Sequence, residues 1–179
     1  MSTLAHHEDR TGEASIAAVA FASVEPATFE DAFGILETMK LAHAESVTPY
    51  PEPDMPYAVQ AMLDLIAQGL VAVARGPSRS RIVGCLMLDV ARWPWTHPNN
   101  PKGLHLYNQH FWIEPRYRRG GVARDFLRFA KALSDERQVP LVIDISSMSD
   151  DAELRDRFVR ISGFAYTGGK FFRAPKPKL

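Results

Sequence analysis

Apolar positions recur along this chain with two periods, and the changes from one to the other mark out its elements. A short apolar run from Ile16 to Val24, followed by Pro26, predicts a first strand. The pattern then turns helical. Thr28 and Asp31 make a capping box, and Phe29, Phe33, Leu36 and Met39 fall on one helical face, predicting a helix to about His43. Pro49, Pro51, Pro53 and Pro56 exclude regular helix from Glu45 to Met55 and favour an extended path. Beyond Pro56, the spacing of Ala58, Met62, Leu65 and Ile66 predicts a second amphipathic helix that stops at Gly69.

Two apolar runs follow, Leu70 to Ala74 and Ile82 to Val90, and the turn-forming stretch Arg75 to Arg79 between them predicts a hairpin. Arg92 to Gly103 carries Pro94, Pro98 and Pro101 and reads as an exposed loop whose Trp93 and Trp95 fold back onto the protein. His105 to Ile113 is the central strand. Strict alternation along it puts His105, Tyr107, Gln109 and Phe111 on one face and Leu106, Asn108, His110 and Trp112 on the other, unless a bulge resets the parity.

That strand leads into IEPRYRRGGVARDFLR, Ile113 to Arg128, which organises the chain. Pro115 ends the strand, Gly120 and Gly121 free the backbone, and a helix to about Gln138 follows, with Val122, Phe126, Phe129, Ala130 and Leu133 on its buried face. The first amides of a helix lack internal acceptors, so a glycine pair at this point suits a bound anion such as a pyrophosphate. Arg116, Arg118, Arg119, Arg124 and Arg128 add positive charge around it. Leu141 to Ile145 then predicts a strand buried on both faces. Asp150 and Glu153 cap a last helix with Leu154, Phe158 and Ile161 inward and Gly163 at its end, and Phe164 to Arg173, split at Gly168-Gly169, predicts a closing hairpin.

Composition narrows the function classes. The 179 residues suit one domain, taken as residues 15–174 between a tail at 1–14 and another at 175–179. A net charge of +0 argues against nucleic acid or a membrane surface as the partner. The single cysteine, Cys85, sits in an apolar run, which fits a buried thiol and a reducing cytoplasm. No stretch reaches the roughly 20 apolar residues of a membrane span, and the N-terminus lacks the pattern of a secretory signal. His6 and His7 have no further ligand types close by, so no metal is expected.

The run Arg118-Arg119-Gly120-Gly121-Val122-Ala123 resembles the Arg/Gln-x-x-Gly-x-Gly/Ala signature of the GNAT superfamily of acyl-CoA-dependent N-acetyltransferases. Ile113 to Tyr117 is similar to that family's lead-in, and ISGFAYTGGKFF, residues 161–172, to its ending. The resemblance spans residues 16–173 and implies the GNAT α/β (α+β) fold: a mixed sheet of about six or seven strands flanked by four helices. It also implies acetyl-CoA as co-substrate in the splay between the fourth and fifth strands. Trp112 and Ile113 would hold the pantetheine arm, with the pyrophosphate against Arg118, Arg119, Gly120, Gly121, Val122, Ala123 and Arg124.

The activity implied is acyl transfer to an amine of a small molecule or protein. The alternative is a CoA-binding or structural module of the same fold, and a homodimer is compatible with either. Family members with a catalytic Glu or His on the fourth strand carry it at the phase of Tyr107 and Gln109, where this chain has no carboxylate. His110, Glu114 and Tyr107 are the catalytic candidates, with ordered water relaying the amine's proton. The family's tyrosine acid on the last helix is matched here by Val159, which leaves Tyr166 or water as the acid. The acceptor pocket is expected between the segment bearing Glu45, Tyr50, Glu52, Asp54 and Tyr57 and the tryptophan loop.

Overall fold

A computed structural model describes residues 22–46, 54–119, 121–144 and 164. The predicted tails, the last helix from Asp150, the closing hairpin, Gly120 and most of the proline segment lie outside these residues. Five strands form one sheet in sequence order: β1 (Ser23–Pro26), β2 (Val71–Arg75), β3 (Ile82–Arg92), β4 (Leu104–Ile113) and β5 (Leu141–Val142). The first four are antiparallel neighbours and β5 runs parallel to β4, so the sheet is mixed. The helices are α1 (Ala32–Glu45), α2 (Met55–Ala67) and α3 (Val122–Arg137). Among the described residues this gives five strands and three α-helices in the predicted order; the remaining predicted elements fall on residues not described.

The first strand lies further along than expected and includes Pro26, opposite Ala72. An edge strand tolerates a residue that cannot donate to a ladder, and β1 ends the order of described strands. The hairpin between β2 and β3 forms as predicted, with Gly76 N donating to Arg81 O at 3.0 Å. Arg92 closes β3 opposite Leu104, so the strand is longer than its apolar run.

The predicted buried face of α1 holds at Leu36 and Met39, which pack partly buried against the core, and is corrected at Phe29 and Phe33. Phe29 and Phe33 are 61% and 84% exposed, whereas Asp31, Ile35, Thr38 and Ala42 are buried. The cause is Asp31, whose carboxylate accepts from Thr28 N at 2.9 Å, as the capping box requires, and from Arg75 Nη2 at 2.8 Å. That carboxylate turns the Phe29–Asp31 turn inward, and the helix that follows inherits its phase, burying positions 31, 35, 38 and 42. Gly34 completes the fit, since a Cβ there would lie 2.7 Å from Ile82 Cδ1. The second helix starts one residue before Pro56, capped by Asp54, whose Oδ1 accepts from Tyr57 N at 3.2 Å.

Two layers cover the sheet. Phe126 of α3 meets Phe111 of β4 edge to face at 5.9 Å, and a Cβ on Gly84 would lie 3.2 Å from Phe126. The third helix buries Val122, Phe126, Leu127 and Ala130, with Phe129 and Leu133 partly buried beside them. Helices α1 and α2 cover the opposite face, where Met39, Leu65, Met87 and His110 share one pocket. Cys85 is buried and free, and no helix among the described residues is long and apolar enough to cross a membrane.

The ion pair under α1 generates a stability prediction. Arg75→Met leaves the Asp31 carboxylate, 5% exposed, without its cation and should cost about 3 kcal/mol in urea unfolding. A loss under about 1 kcal/mol would show that Arg75 does not set the phase of α1.

Candidate functional site

The alternation of β4 is broken once, and the break decides what the site contains. Met87 of β3 pairs with His110 while Leu88 pairs with Asn108, so Gln109 has no opposite residue. One unpaired residue in one strand is a β-bulge, and it inverts the parity on either side. His105 and Tyr107 before it therefore share a face with His110 and Trp112 after it. Leu106, Asn108, Phe111 and Ile113 occupy the face toward α3. Strict alternation, which separates His110 from Tyr107, is thereby corrected.

A pocket of about 520 Å³ opens over this bulge. It is lined by Met39 of α1, by Asp54, Tyr57, Ala58, Ala61, Asp64, Leu65 and Gln68 along α2, by Met87 and Asp89 of β3, and by Gln109 and His110. The α2 residues recur at helical spacing, so the helix presents one continuous stripe to the pocket. Asp89 is the carboxylate that the reading of β4 alone does not find. It stands on the neighbouring strand, directly opposite Tyr107. Its Oδ1 accepts from Val90 N at 2.7 Å, and its Oδ2 accepts from Gln109 Nε2 at 2.9 Å and from Tyr107 OH at 3.3 Å. The signal for it is a single acid inside the apolar run Val83 to Val90, where an unpartnered charge would be expensive.

His110 is half-buried, with its Nε2 shut away from solvent and without a partner among the described residues. Burial pushes its pKa down to about 4, so the imidazole is neutral at neutral pH. Tyr107 is pushed the other way by burial and by Asp89, and it keeps its phenolic proton. Glu114 does not line the pocket. Its carboxylate is held by Arg116 Nε at 2.5 Å and lies 2.8 Å from Arg81 Nη2, a charge contact without hydrogen-bond alignment. The tryptophan loop is also elsewhere: Trp93 stacks on His105 at 4.0 Å, Trp95 stacks on Trp93 at 5.2 Å, and neither reaches the pocket.

The edge of β4 toward β5 carries the second half of the site. The two strands pair only at Leu106–Leu141 and Tyr107–Val142. At the next step the Asn108 side chain replaces the ladder, donating Nδ2 to Asp144 O at 2.7 Å and accepting Asp144 N at Oδ1 at 2.6 Å. From Gln109 to Ile113 this edge has no strand partner among the described residues. Unpaired backbone of that kind suits an extended chain of amides such as pantetheine.

Below the same edge lies the start of α3. Gly121 takes φ +86°, a left-handed conformation that glycine adopts without strain, and a Cβ there would meet Arg124 Nη2 at 3.0 Å. The first helical bond is donated by Asp125 N to Gly121 O at 3.1 Å, which leaves the amides of Val122, Ala123 and Arg124 without helical acceptors. Arg119 and Arg124 are exposed and make no ion pair with a described residue. Arg118 is committed. Its Nη2 lies 2.5 Å from Glu45 Oε2 and its Nε donates to Ile113 O at 2.8 Å, while Trp112 Nε1 donates to the same Glu45 oxygen at 3.1 Å. Val122 and Trp112 are buried, so any contact they make with a cofactor is through backbone. These groups fit a pyrophosphate: open amides, a helix start, two uncommitted arginines and no Cβ in the way.

The mixed sheet with β5 parallel to β4, followed by a glycine-capped α3, matches the GNAT fold. Comparison with solved structures bears this out. AAC(6')-Iy, in complex with a CoA–acetylneamine bisubstrate analogue, is similar with a TM-score of 0.61 at 10% identity, over 88% of this chain and 99% of that one. A predicted acetyltransferase from Clostridium acetobutylicum, with acetyl-CoA, gives 0.60 at 17% identity, over 86% and 96%. Naa50 from Arabidopsis thaliana, with a CoA-peptide bisubstrate analogue, gives 0.56 at 16%, over 82% and 85%. No family model matches the sequence. No curated protein matches it either.

Two predictions follow from this geometry. Gly121→Glu places a side chain on a left-handed backbone and a negative charge among the open amides, so calorimetry should show CoA affinity falling at least about tenfold. Unchanged affinity in the folded variant would remove the loop from the site. The second concerns His110, whose folded pKa lies below its unfolded value near 6.5. The unfolded chain then binds more protons, so stability falls as pH drops through 6.5 and the loss levels off near 4 at about 3 kcal/mol. His105, lowered by burial in the same direction, remains in both proteins compared. In urea titrations from pH 7 to about 4.5, His110→Leu should gain steadily on the wild type; a constant gap would mean that His110 protonates freely.

Proposed function

We propose that this protein transfers the acetyl group of acetyl-CoA to an amine. The observation that carries the reading is the meeting of two half-sites at Gln109–His110. On one side of that point the edge of β4, without a strand partner among the described residues, leads down to the open amides of α3. On the other is a pocket with carboxylates on its wall. A thioester reaching up the edge of β4 would present its carbonyl to an amine in the pocket. The neighbours bound to acetyl-CoA or to CoA bisubstrate analogues support the same cofactor here. A free, buried thiol and an acyl-CoA substrate both fit a cytoplasmic setting.

The chemistry asks three things of the residues present. The amine must reach the thioester neutral, since an ammonium has no lone pair for attack. Asp89 draws the ammonium in and orients it, and ordered water at the pocket takes its proton. As the N–C bond forms and the C–S bond breaks, the departing thiolate needs a proton. Tyr107, protonated and hydrogen-bonded to Asp89 and Gln109 at the bulge, supplies it. His110 is neutral, its Nε2 without a partner among the described residues, and it shapes the pocket more than it takes up protons. Glu114, locked between two arginines, is left as a support of the loop.

Thiol release from acetyl-CoA in the presence of a panel of amines tests the reading. Tight CoA binding with no release for any amine would leave a CoA-binding module of this fold. The pH dependence should be distinctive. With His110 held near pKa 4, the rate should show no histidine limb at pH 6 to 7 and should rise with the amine's own ionisation through about pH 8 to 9. His110→Ala should then change it only a few-fold; a limb at pH 6 to 7 that vanishes in the variant would make the imidazole the base.

A further inference from the structure

The lining of the pocket sorts by depth. Asp54 and Asp64 are exposed, toward opposite ends of the α2 stripe, and water and salt screen them there. They form a solvated rim and do not set what the interior holds. Below the rim the wall is apolar. Ala58, Ala61 and Leu65 from α2, Met39 from α1 and Met87 from β3 are all half-buried or buried. Asp89 of β3, half-buried, is the one lining carboxylate among the described residues that is not exposed. Neither Lys nor Arg lines the pocket among those residues.

Asp89 has room for one more donor. Its two oxygens offer about four lone-pair positions, of which Val90 N, Gln109 Nε2 and Tyr107 OH occupy three. All of these donors are neutral, and Asp89 forms no ion pair with a described residue, whereas the half-buried or buried acids Glu114 and Asp31 are matched by arginines. His110 beside it is neutral through burial and adds no counter-charge. The volume, about 520 Å³, is that of a small-molecule site, and such sites combine an apolar wall with a few placed polar groups. From Ala58 to Leu65 the apolar stripe of α2 runs roughly 10 Å at the helical rise, room for several methylenes or for an aryl ring on a short linker. The two alanines keep that wall low, and the thioethers of Met39 and Met87 adapt to a ligand's outline. One half-buried acid above an apolar wall is complementary to an ammonium carried on a hydrocarbon.

We propose that the acceptor is a small amine with an apolar body, its nitrogen at Asp89 and its hydrocarbon against Ala58, Ala61, Leu65, Met39 and Met87. That the nitrogen at Asp89 is the one acetylated rests on the transferase reading; the apolar body rests on the lining itself. Burying the hydrocarbon removes apolar surface from water on both sides, which favours binding. An acceptor polar along its length would instead bring groups against this wall that lose their hydration and find no partner. The transfer step forms one N–C bond and breaks the thioester C–S bond. The reacting nitrogen gives up a proton to water, and the thiolate takes one from Tyr107, which regains it from solvent.

The test uses the full chain saturated with CoA and calorimetric titration of the straight-chain amines from ethylamine to hexylamine. Affinity should rise at least about twofold with each added methylene, full burial being worth about fourfold. The amino alcohol 4-aminobutan-1-ol has the length of pentylamine with a hydroxyl in place of the last methyl, and it should bind at least about fivefold less tightly. In Ala61→Leu the larger side chain occupies the wall space, so the ratio of hexylamine to ethylamine affinity should fall at least about fivefold. Affinities that ignore chain length, or an amino alcohol that matches pentylamine, would overturn the proposal, and the wild-type series decides this without any variant. A ratio that survives in folded Ala61→Leu would overturn it as well. Thiol release from acetyl-CoA with the same amines separates the two readings. Affinity that climbs with chain length but with no release for any amine removes the transferase reading and keeps the apolar pocket. Release and binding that both ignore chain length keep the transferase and remove the apolar acceptor.

Discussion

Gln109 stands in β4 with no opposite residue in β3, and the composition of the candidate site depends on that one insertion. Without it, His110 and Trp112 would turn toward α3, and the pocket would lose the imidazole on its wall. With it, the residues before and after the bulge address the same helices. Gln109 itself projects at the break, where its side-chain amide bonds both Asp89 and the Tyr107 hydroxyl. The bulge is thus held by hydrogen bonds as well as by chain connectivity, and the groups it holds are the ones best placed for chemistry. Bulges are common beside active sites for this reason: they re-aim side chains without altering the rest of a sheet.

The opposite edge of β4 is shaped by a different device. Parallel pairing with β5 lasts two residues and is followed by the paired hydrogen bonds of the Asn108 side chain to Asp144. A side chain that fills both a donor and an acceptor role at the next ladder step leaves the Asp144 backbone satisfied there. At the far end of β4, Arg118 ties the loop before α3 to Glu45 at the end of α1, and the buried Trp112 shares the same oxygen. The start of α3 and the end of α1, which lends Met39 to the pocket, are therefore fastened together through one carboxylate. An arginine at the head of the loop serves here as a tie, while Arg119 and Arg124 make no ion pair with a described residue.

The strand-loop-helix from Leu104 to Arg137 was legible because three independent signals coincide there: an apolar strand, a glycine pair and a helical stripe around Phe126. The phase of α1 was not legible in this way. Phe29 and Phe33 make a convincing apolar stripe, yet a buried carboxylate, Asp31, with its cation forty-four residues away, sets the rotation of the helix. Periodicity reports which positions share a face and is silent on which face the tertiary ion pair turns inward. The bulge was invisible for a related reason, since one extra residue in a strand leaves no compositional trace. Asp89 could have been found from sequence, as an acid inside a buried run. Its use required knowing that β3 places it opposite Tyr107.

The central claim is that acetyl-CoA lies along the open edge of β4 with its thioester at the bulge, facing the acidic pocket. A crystal structure of the CoA complex measures this directly. The account predicts the pyrophosphate on the amides of Val122, Ala123 and Arg124, the pantetheine arm along Gln109 to Ile113, and the sulfur opening onto the pocket lined by Asp89 and His110. A sulfur that emerges on the α3 face of the sheet, or a pyrophosphate bound away from the start of α3, would contradict it.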